Sequence, residues 1–586
     1  MYMFKKSIYP LFLLGVAYLL FASHDAKIIV AGIAIFLIGM VFMEDGFKLF
    51  SGGVLEKFLQ ISTSNVPKAI GTGFIVTAII QSSSLLTVIV ISFLSAELIS
   101  LSGAIGVIFG SNIGTTTTAW IVSAFGVKID IAYYAMPMLI FGVLFRFKNA
   151  KTYQGVGNIF IGLGFVFLGI GYMKEGFEAL KAGLDLAEFA MSGYLGVLVY
   201  ALIGIVVTII IQSSSATMAL IITALATGQI EYVNALALAI GANIGTTVTA
   251  IIGSLSSNAN GKRLAVAHFI FNIITGLVAI AFLYQLLDLV DLISPFIGVD
   301  TKDYGMKLAL FHTVFNVLGV VLIAPFTAKL VVYLEGLFKE EEKDTSRARY
   351  LDAAVIMVPE VAIFALKKEL IHLYDNATEV LSHALSLHRH TFIGMGDEIS
   401  KVVEASVTQI DINIDEVYKK RIKSLYGDII HFATISQENM SVEDKHKIYA
   451  LKVACRDIVA TIKDVEELRQ NVNRFMNSKN KYIRDEYNYL RETIAKTLDV
   501  IHLLKKSGDD FEVLAKLRIL EENIKELDLV ANERIDGLIR ANSIDSKMAT
   551  SLINDSIYAY NISKKLIHVA HVLWIEDKQI RELGAE

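Results

Sequence analysis

Two identical polar tetrads interrupt long apolar stretches of this chain, and they carry the groups best suited to bind a ligand. The tetrads are Gln81, Ser82, Ser83 and Ser84, and Gln212, Ser213, Ser214 and Ser215. A chain that turns at such a tetrad leaves free backbone N–H groups at the start of the next helix, where a serine hydroxyl caps it. A helix N-terminus carries roughly half a positive charge and favours phosphate or carboxylate. Two such tips facing each other are predicted to surround a small tetrahedral oxyanion.

A second polar cluster follows each tetrad and offers hard oxygen ligands. Its members are Asn112, Thr115, Thr116, Thr117 and Thr118 in the first copy, and Asn243, Thr246, Thr247 and Thr249 in the second. Hydroxyl, amide and unwound backbone oxygens suit a small alkali cation better than a transition metal. The clusters therefore predict a small unreactive cation beside the substrate and no transition-metal site. In the alternative interpretation, the threonine hydroxyls bond back to their own helices.

An internal duplication places these clusters in equivalent positions. Gly73–Ala119 aligns with Gly204–Ala250 without a gap, at a constant spacing of 131 residues. Upstream, Met43–Phe47 resembles Met173–Phe177 at a spacing of 130 residues. Duplicated halves with interrupted hydrophobic segments at matching positions are typical of the binding sites of secondary transporters.

The composition divides the chain into an apolar and a charged part. Of its 586 residues, 54% are hydrophobic and 19% are charged, and the mean hydropathy is +0.55. Residues 1–338 hold only 33 charged side chains, whereas residues 339–586 hold 78. Uncharged stretches of membrane-spanning length recur in the first part. They are Ala69–Ala96, Leu98–Val127, Phe189–Ile230, Tyr232–Gly261 and Leu308–Ala328.

These patterns predict an all-α protein: a polytopic membrane protein with an internal repeat, followed by a soluble helical bundle. The predicted transport domain is 1–338, with repeat 1 at about 30–150, repeat 2 at about 160–285 and final helices to 338. The predicted linker is 339–358 and the helical domain 359–586. Within that domain Ser441 is predicted to cap a long helix. The net charge of −5, without a basic block, argues against nucleic acid as a partner.

Charge and cysteine content predict the sidedness. Arg146, Lys148 and Lys151 form the densest short basic loop of the apolar part, which the positive-inside rule places in the cytoplasm. The single cysteine, Cys455, excludes an intramolecular disulfide and suits a reducing compartment, so the tail is predicted on the same side. The apolar run Ile8–Ala22 is interpreted as a retained first helix rather than a cleaved signal.

The charge of the duplicated core predicts ion coupling. No lysine or arginine lies in either repeated core, so a bound anion there meets only dipoles and hydroxyls. Moving one charge across a membrane costs about 2.3 kcal/mol per 100 mV. An inward Na⁺ gradient would both neutralise the anion and drive its entry.

His268 and His312 lie in matching Leu-x-x-x-His-x-x-Phe-Asn contexts. They favour an interhelical hydrogen bond, with proton coupling as the alternative. The serines show no serine-hydrolase arrangement.

At these motifs the sequence resembles the sodium-dependent phosphate cotransporter family, the type II Na/Pi symporters and their bacterial relatives. Both Gln-Ser-Ser-Ser tetrads are followed by Gly-x-Asn-Ile-Gly-Thr-Thr, over a resemblance that covers about residues 30–330. The resemblance implies inverted repeats and two re-entrant hairpins, with phosphate and Na⁺ lined by residues 81–84 and 212–215 and adjoined by 115–118 and 246–249. The segment Ile129–Phe145 departs from the pattern, because it lacks the His-x-x-Phe-Asn motif of the second repeat.

The tail resembles the PhoU-like helical domain of bacterial members, most clearly at Ser551–Tyr560. The leading interpretation is a symporter, not an enzyme, that takes up inorganic phosphate with Na⁺ across a bacterial inner membrane. Na⁺ is the coupling ion and no cofactor is implied. The cytoplasmic tail is predicted to meet a second copy or a regulatory protein. The alternatives are a Na⁺-coupled carrier of dicarboxylates or other oxyanions, and a membrane-anchored phosphate sensor without turnover.

Overall fold

The computed structural model describes residues 17, 20–21, 23–51, 59, 62–126, 131–181, 186–255, 257–339, 347–438, 440–507, 510–527 and 534–575. Among them there are helices and turns but no strand. The chain separates into two compact units, one of Met1–Glu340 with Asp352–Met357 and the other of Glu341–Leu351 with Val358–Glu586. Most of the predicted first helix, Ile8–Ala22, and residues 340–346 of the predicted linker lie outside the described residues.

The first unit is built from apolar helices. They are α1 (His24–Ser51), α2 (Val66–Ile80), α3 (Ser83–Ser95), α4 (Leu101–Ile121), α5 (Ile131–Arg146), α6 (Lys151–Lys181), α7 (Gly193–Ile211), α8 (Ser214–Ala226), α9 (Tyr232–Gly245), α10 (Thr247–Ser254), α11 (Ala259–Ala281), α12 (Leu283–Ile293), α13 (Tyr304–Ile323) and α14 (Thr327–Leu337). Seven helical stretches of the described chain are long and apolar enough to cross a membrane. The predicted all-α polytopic fold is confirmed.

The first tetrad forms the tip of the hairpin of α2 and α3. Gln81 has a left-handed backbone, with φ of 60°, and its N–H donates to the Thr77 carbonyl oxygen at 2.7 Å. Ser82 then caps the start of α3, because its hydroxyl accepts the N–H of Leu85 at 3.2 Å. The αL residue ends one helix and the serine cap starts the next, so the chain reverses within two residues.

The second tetrad repeats this geometry between α7 and α8. Gln212 has φ of 57° and donates its N–H to the Thr208 carbonyl oxygen at 2.7 Å. The Ser213 hydroxyl accepts the N–H of Ala216 at 3.2 Å. The sequence therefore encodes the same helix stop and helix start twice.

A glycine permits the same close helix crossing in each copy. A methyl group added to Gly73 on α2 would collide with the Val107 carbonyl oxygen on α4. A methyl group on Gly204 of α7 would collide in the same way with Leu238 on α9. Each residue lies 131 positions from its counterpart. The sequence repeat is thus also a repeat of helix packing, which holds each tip against the helix that carries the threonine cluster.

Glycines also bring α1 and α6 together. Three glycines of each helix, seven residues apart, face each other in pairs: Gly32 with Gly169, Gly39 with Gly162, and Gly46 with Gly155. The pairing runs in opposite directions along the two helices, so they are antiparallel. Small residues allow this close approach and favour helix association in lipid.

The two copies differ after the helix crossing. The first threonine cluster lies near the end of α4, which runs unbroken from Leu101 to Ile121 and continues into a π-turn at Val122–Gly126. In the second copy α9 ends at Gly245 and α10 begins at Thr247. Only Thr246 separates them, and its backbone stays right-handed helical with φ of −62°, so neither cluster contains an unwound stretch.

A segment beyond the last membrane helix returns to the first unit. We call Asp352–Met357 the returning segment. The Asp352 carboxylate accepts the N–H of Asn258 at 2.6 Å, and the Ser92 hydroxyl on α3 donates to the Ala354 carbonyl oxygen at 2.6 Å. Val355 is fully buried. The sequence assigned all of 339–358 to a linker, whereas the structure packs this part of it against the first hairpin.

The second unit is a set of amphipathic helices. They are α15 (Pro359–Ala384), α16 (Arg389–Phe392), α17 (Ile399–Ala405), α18 (Ile414–Val417), α19 (Lys423–Ile435), α20 (Val442–Phe475), α21 (Lys481–Ser507), α22 (Phe511–Asn523), α23 (Arg534–Arg540) and α24 (Ser546–Trp574). The Ser441 hydroxyl accepts the N–H of Asp444 at 3.2 Å, so the predicted cap of α20 is confirmed.

A buried arginine joins three segments of the second unit. Arg491 on α21 donates to the carbonyl oxygens of Leu385 at 3.0 Å, Val403 at 3.3 Å and Ser406 at 3.0 Å. Burial lowers the pKa of Arg491 to about 10, since desolvation disfavours the charged form. The guanidinium thus satisfies carbonyl groups at the ends of α15 and α17.

Candidate functional site

Gln81 at the first tip is buried and both ends of its amide are engaged. Its Nε2 donates to Thr117 Oγ1 at 2.8 Å and to the Ala78 carbonyl oxygen. Its Oε1 accepts the hydroxyl proton of Thr118 at 2.8 Å. Both threonines belong to α4. Gln81 therefore fastens the first tip to the threonine cluster, and in this conformation its amide is a positioning group rather than a free donor.

A hydroxyl contact continues from this cluster to the second tip. Thr118 Oγ1 lies 3.2 Å from Ser215 Oγ, and both side chains are buried. Because Thr118 gives its only proton to Gln81, it accepts the proton of Ser215. We call Gln81, Thr118 and Ser215 the tip relay. It joins residues of the two tetrads through a single intervening side chain, so the two tips converge inside the first unit.

Ser82 at the first tip contacts a charged pair on α1. Its hydroxyl donates to Glu44 Oε2 at 3.2 Å, and Glu44 Oε1 lies 2.9 Å from Lys48 Nζ. The repeated cores contain no lysine or arginine, but α1 delivers an ion pair to the edge of the first tip. Charge therefore reaches this tip from an upstream helix, through a contact that the sequence did not predict.

The remaining tetrad residues differ in exposure. Ser83 is half-buried and Ser84 exposed at the first tip, whereas Ser214 is buried and Gln212 exposed at the second. The serine just after the capping serine is thus half-buried at the first tip and buried at the second, where Ser215 is buried as well. Ser83 and Ser214 open α3 and α8, where the unpaired N–H groups of a helix start lie.

The threonines donate their protons back to their own helices, as the alternative interpretation expected. This holds for Thr115, Thr116, Thr117, Thr246, Thr247 and Thr249. Asn112 behaves similarly, with Nδ2 donating to the Ile108 carbonyl oxygen at 2.9 Å. A hydroxyl that donates its proton keeps oxygen lone pairs, so these groups still suit a hard cation.

Asn243 in the second cluster is the centre of a buried interhelical network. Its Nδ2 donates to Oδ1 of Asn272 at 3.2 Å and to Oδ1 of Asn316 at 3.0 Å. His268 and His312 lie one turn before these asparagines, and Nδ1 of each is buried without a hydrogen-bond partner in the described part of the chain. Among the described residues, the interhelical hydrogen bonds of this network join Asn243 to Asn272 and to Asn316. The repeated His-x-x-Phe-Asn pattern in the sequence marks Asn272 and Asn316.

One contact of the first cluster was not predicted from the sequence. Thr313 on α13 donates to Thr116 Oγ1 at 3.0 Å and accepts from Trp120 Nε1 at 2.9 Å. Thr313 has no counterpart in the duplication, because α13 follows both repeats. The similarity between the two copies therefore does not predict this contact.

The hydroxyl-bearing tips of two hairpins converge among membrane-spanning helices. This arrangement is typical of multi-pass secondary transporters, in which the ends of broken helices line a site at the interface between repeats. The chain belongs to the Na⁺/Pi-cotransporter family, whose family model matches residues 35–175 and 186–308.

Relatives of the chain are found in bacteria and animals. YjbB of Escherichia coli (strain K12), whose name gives inorganic phosphate export as a provisional activity, is 26% identical over 424 residues, or 72% of this chain and 73% of YjbB. The uncharacterised YqeW of Bacillus subtilis (strain 168) is 32% identical over 302 residues, or 50% of this chain and 92% of YqeW. Sodium-dependent phosphate transport protein 2B of Homo sapiens is 40% identical over 87 residues, or 14% of this chain and 12% of that protein. No solved structure matches the chain.

Proposed function

We propose that this protein is a symporter that couples inward Na⁺ flow to the uptake of inorganic phosphate. Phosphate would bind where the two tetrads converge, and Na⁺ would bind beside it among the threonine and asparagine oxygens. The observation that carries the proposal is the tip relay, in which Thr118 contacts Gln81 at 2.8 Å and Ser215 at 3.2 Å. Membership of the Na⁺/Pi-cotransporter family supports phosphate as the substrate.

The donors at the tips favour a desolvated oxyanion. Ser83 and Ser214 each open a helix, so a hydroxyl and free backbone N–H groups lie together at each tip. Such donors bind an anion by partial charges rather than by a full positive charge. The net negative charge of phosphate then calls for a bound cation, and the hydroxyl oxygens of the adjoining threonines supply ligands for Na⁺.

Uptake into proteoliposomes tests the coupling. Purified protein is reconstituted, and the initial rate of radioactive phosphate entry is measured with an inward Na⁺ gradient and with an equal choline gradient. The proposal expects entry with Na⁺ and almost none with choline. Equal entry in the two gradients would contradict Na⁺ coupling, and entry of succinate in place of phosphate would favour a dicarboxylate carrier.

Export of phosphate is the second candidate, and the name of YjbB favours it. Vesicles preloaded with phosphate distinguish the two directions of physiological flow. A dedicated exporter would release phosphate down its own gradient with no Na⁺ on either side. A Na⁺ symporter would release it slowly under those conditions and faster when Na⁺ is added inside.

We assign the second unit to the cytoplasmic face of a bacterial inner membrane, where it would regulate transport through a second copy or a regulatory protein. The basic loop of Arg146, Lys148 and Lys151 supports this side. Cys455 supports it as well, because it is buried and free. Protease treatment of sealed, oriented vesicles tests the assignment, which expects cleavage of the tail from the cytoplasmic side alone.

A further inference from the structure

The hydroxyl of Ser82 is fully used in this structure. It accepts the N–H of Leu85 at 3.2 Å, which caps α3, and it donates its proton to Glu44 Oε2 at 3.2 Å. A serine hydroxyl has one proton. Ser82 therefore has no proton left for a phosphate oxygen as long as Glu44 holds its position.

Glu44 is itself held in place from α1. Its other carboxylate oxygen, Oε1, lies 2.9 Å from Lys48 Nζ one turn further along the helix. The Glu44 side chain is 28% exposed, so the pair is partly shielded from solvent. Asp45, the neighbouring carboxylate, is 57% exposed and lies 3.9 Å from Lys48. Of these two carboxylates, Glu44 is the one that contacts the tip.

The two tips are unequal in this respect. The Ser213 hydroxyl accepts the N–H of Ala216 at 3.2 Å, and no acceptor receives its proton among the residues that the structure describes. The repeat of Met43–Phe47 at Met173–Phe177 puts Lys174 where the first copy has Glu44. A carboxylate thus faces the first tip, whereas the matching position upstream of the second tip carries the opposite charge.

We propose that Glu44 is a built-in competitor of the transported anion at the first tip. It accepts the Ser82 hydrogen bond while the site holds no phosphate, and it gives up that bond when a phosphate oxygen arrives. The exchange weakens phosphate binding and eases release. This inference rests on the proposed transport of phosphate and adds to it a residue that sets the affinity of the site.

The test is the half-saturating phosphate concentration for uptake by full-length protein at saturating Na⁺. Glu44→Gln keeps the shape of the side chain but removes its charge, and it is expected to lower the half-saturating concentration about fivefold and to slow turnover. Asp45→Asn removes a charge one residue away without touching Ser82, and it is expected to match the wild type. A Glu44→Gln variant that matches the wild type or needs more phosphate would overturn the inference.

Lys48 provides a second control, because Glu44→Gln also removes one of the two carboxylates that this lysine pairs with. The double variant Glu44→Gln, Lys48→Gln is expected to keep the tighter binding. If the gain disappears in the double variant, a released lysine caused it and the competitor role is wrong.

Ser82→Ala isolates the contact. In that background Glu44→Gln is expected to produce no further change, since the hydrogen bond for which the two anions compete is already gone. Effects that add fully would contradict the inference. A wild-type protein that moves no phosphate would overturn the proposed function as well, whereas normal wild-type transport with an unresponsive Glu44→Gln variant would overturn this inference alone.

Discussion

Thr118 Oγ1 and Ser215 Oγ lie 3.2 Å apart, although the two residues are 97 positions apart and belong to different copies of the repeat. The bond is buried, and Thr118 also donates to Gln81 of the first tip at 2.8 Å. Movement of one tip relative to the other must break or exchange this contact. The tip relay is thus both a mark of the candidate site and a coupling between the repeats.

The contact predicts coupled effects of two substitutions. Thr118→Val and Ser215→Ala each remove one hydroxyl, and each should lower the initial rate of phosphate uptake about tenfold, which corresponds to about 1.4 kcal/mol for a buried hydrogen bond. The double variant should be no worse than the poorer single variant, because both changes delete the same bond. If the fold losses of the two single variants multiply in the double variant, the two hydroxyls act independently.

The serine that follows each capping serine should carry phosphate binding at its tip. Ser83→Ala and Ser214→Ala each remove a donor from a desolvated pocket, so the half-saturating phosphate concentration should rise by about tenfold or more while the protein still folds. Ser102 is a suitable control, because it lies at the start of α4 and not at either tip. Its hydroxyl oxygen is 3.1 Å from that of Ser100. Wild-type uptake in both tip variants would refute the proposed location of the site.

The repeated helix crossing predicts matched losses of stability. Gly73→Ala and Gly204→Ala each place a methyl group against a backbone carbonyl of the neighbouring helix, and overpacking of this kind costs about 1–3 kcal/mol. The melting temperature in detergent should fall by similar amounts in the two variants. Gly71→Ala, in the same helix as Gly73, meets nothing within 4 Å and should melt like the wild type. A fall for Gly71→Ala equal to that for Gly73→Ala would contradict the packing argument.

The returning segment predicts a difference between two truncations. A protein ending at Met357 keeps the bonds of Asp352 to Asn258 and of Ala354 to Ser92, whereas one ending at Leu351 leaves the N–H of Asn258 without its acceptor and the Ser92 hydroxyl with only the Val88 carbonyl oxygen of its own helix. The shorter protein should lose about 1–3 kcal/mol per unpaired group and melt at a lower temperature. Both should retain measurable phosphate uptake. Equal melting temperatures would show that the segment does not support the first hairpin.

The tetrads were sufficient to predict a serine cap at the start of α3 and of α8, because a capping serine is a local signal, whereas the hairpins were expected from the family resemblance. The relay from Gln81 through Thr118 to Ser215 was not predicted, since it depends on how α4 packs beside α8. Patterns within one helix do not report such packing. The contact of Glu44 with Ser82 was not predicted for the same reason, since only the tertiary packing brings α1 to the first tip.

The returning segment shows another limit of the sequence. A charged, short-range pattern predicted a linker over 339–358, and the bonds that draw Asp352–Met357 back to α3 come from single backbone and side-chain groups. Such groups leave no periodic signal. The asparagine network around Asn243 was predicted in part. The repeated His-x-x-Phe-Asn pattern marked Asn272 and Asn316, but it did not show that both bond to Asn243.

The central claim is that phosphate binds where the two tetrads meet, and protection of introduced cysteines tests it most directly. Ser84→Cys and Gln212→Cys place thiols at exposed positions of the two tips, while the native Cys455 is fully buried and stays unreactive. With Na⁺ present, millimolar phosphate should slow the reaction of both cysteines with a charged thiol reagent severalfold, and equal sulfate should not. Reaction rates at both positions that are unchanged by phosphate would contradict the account.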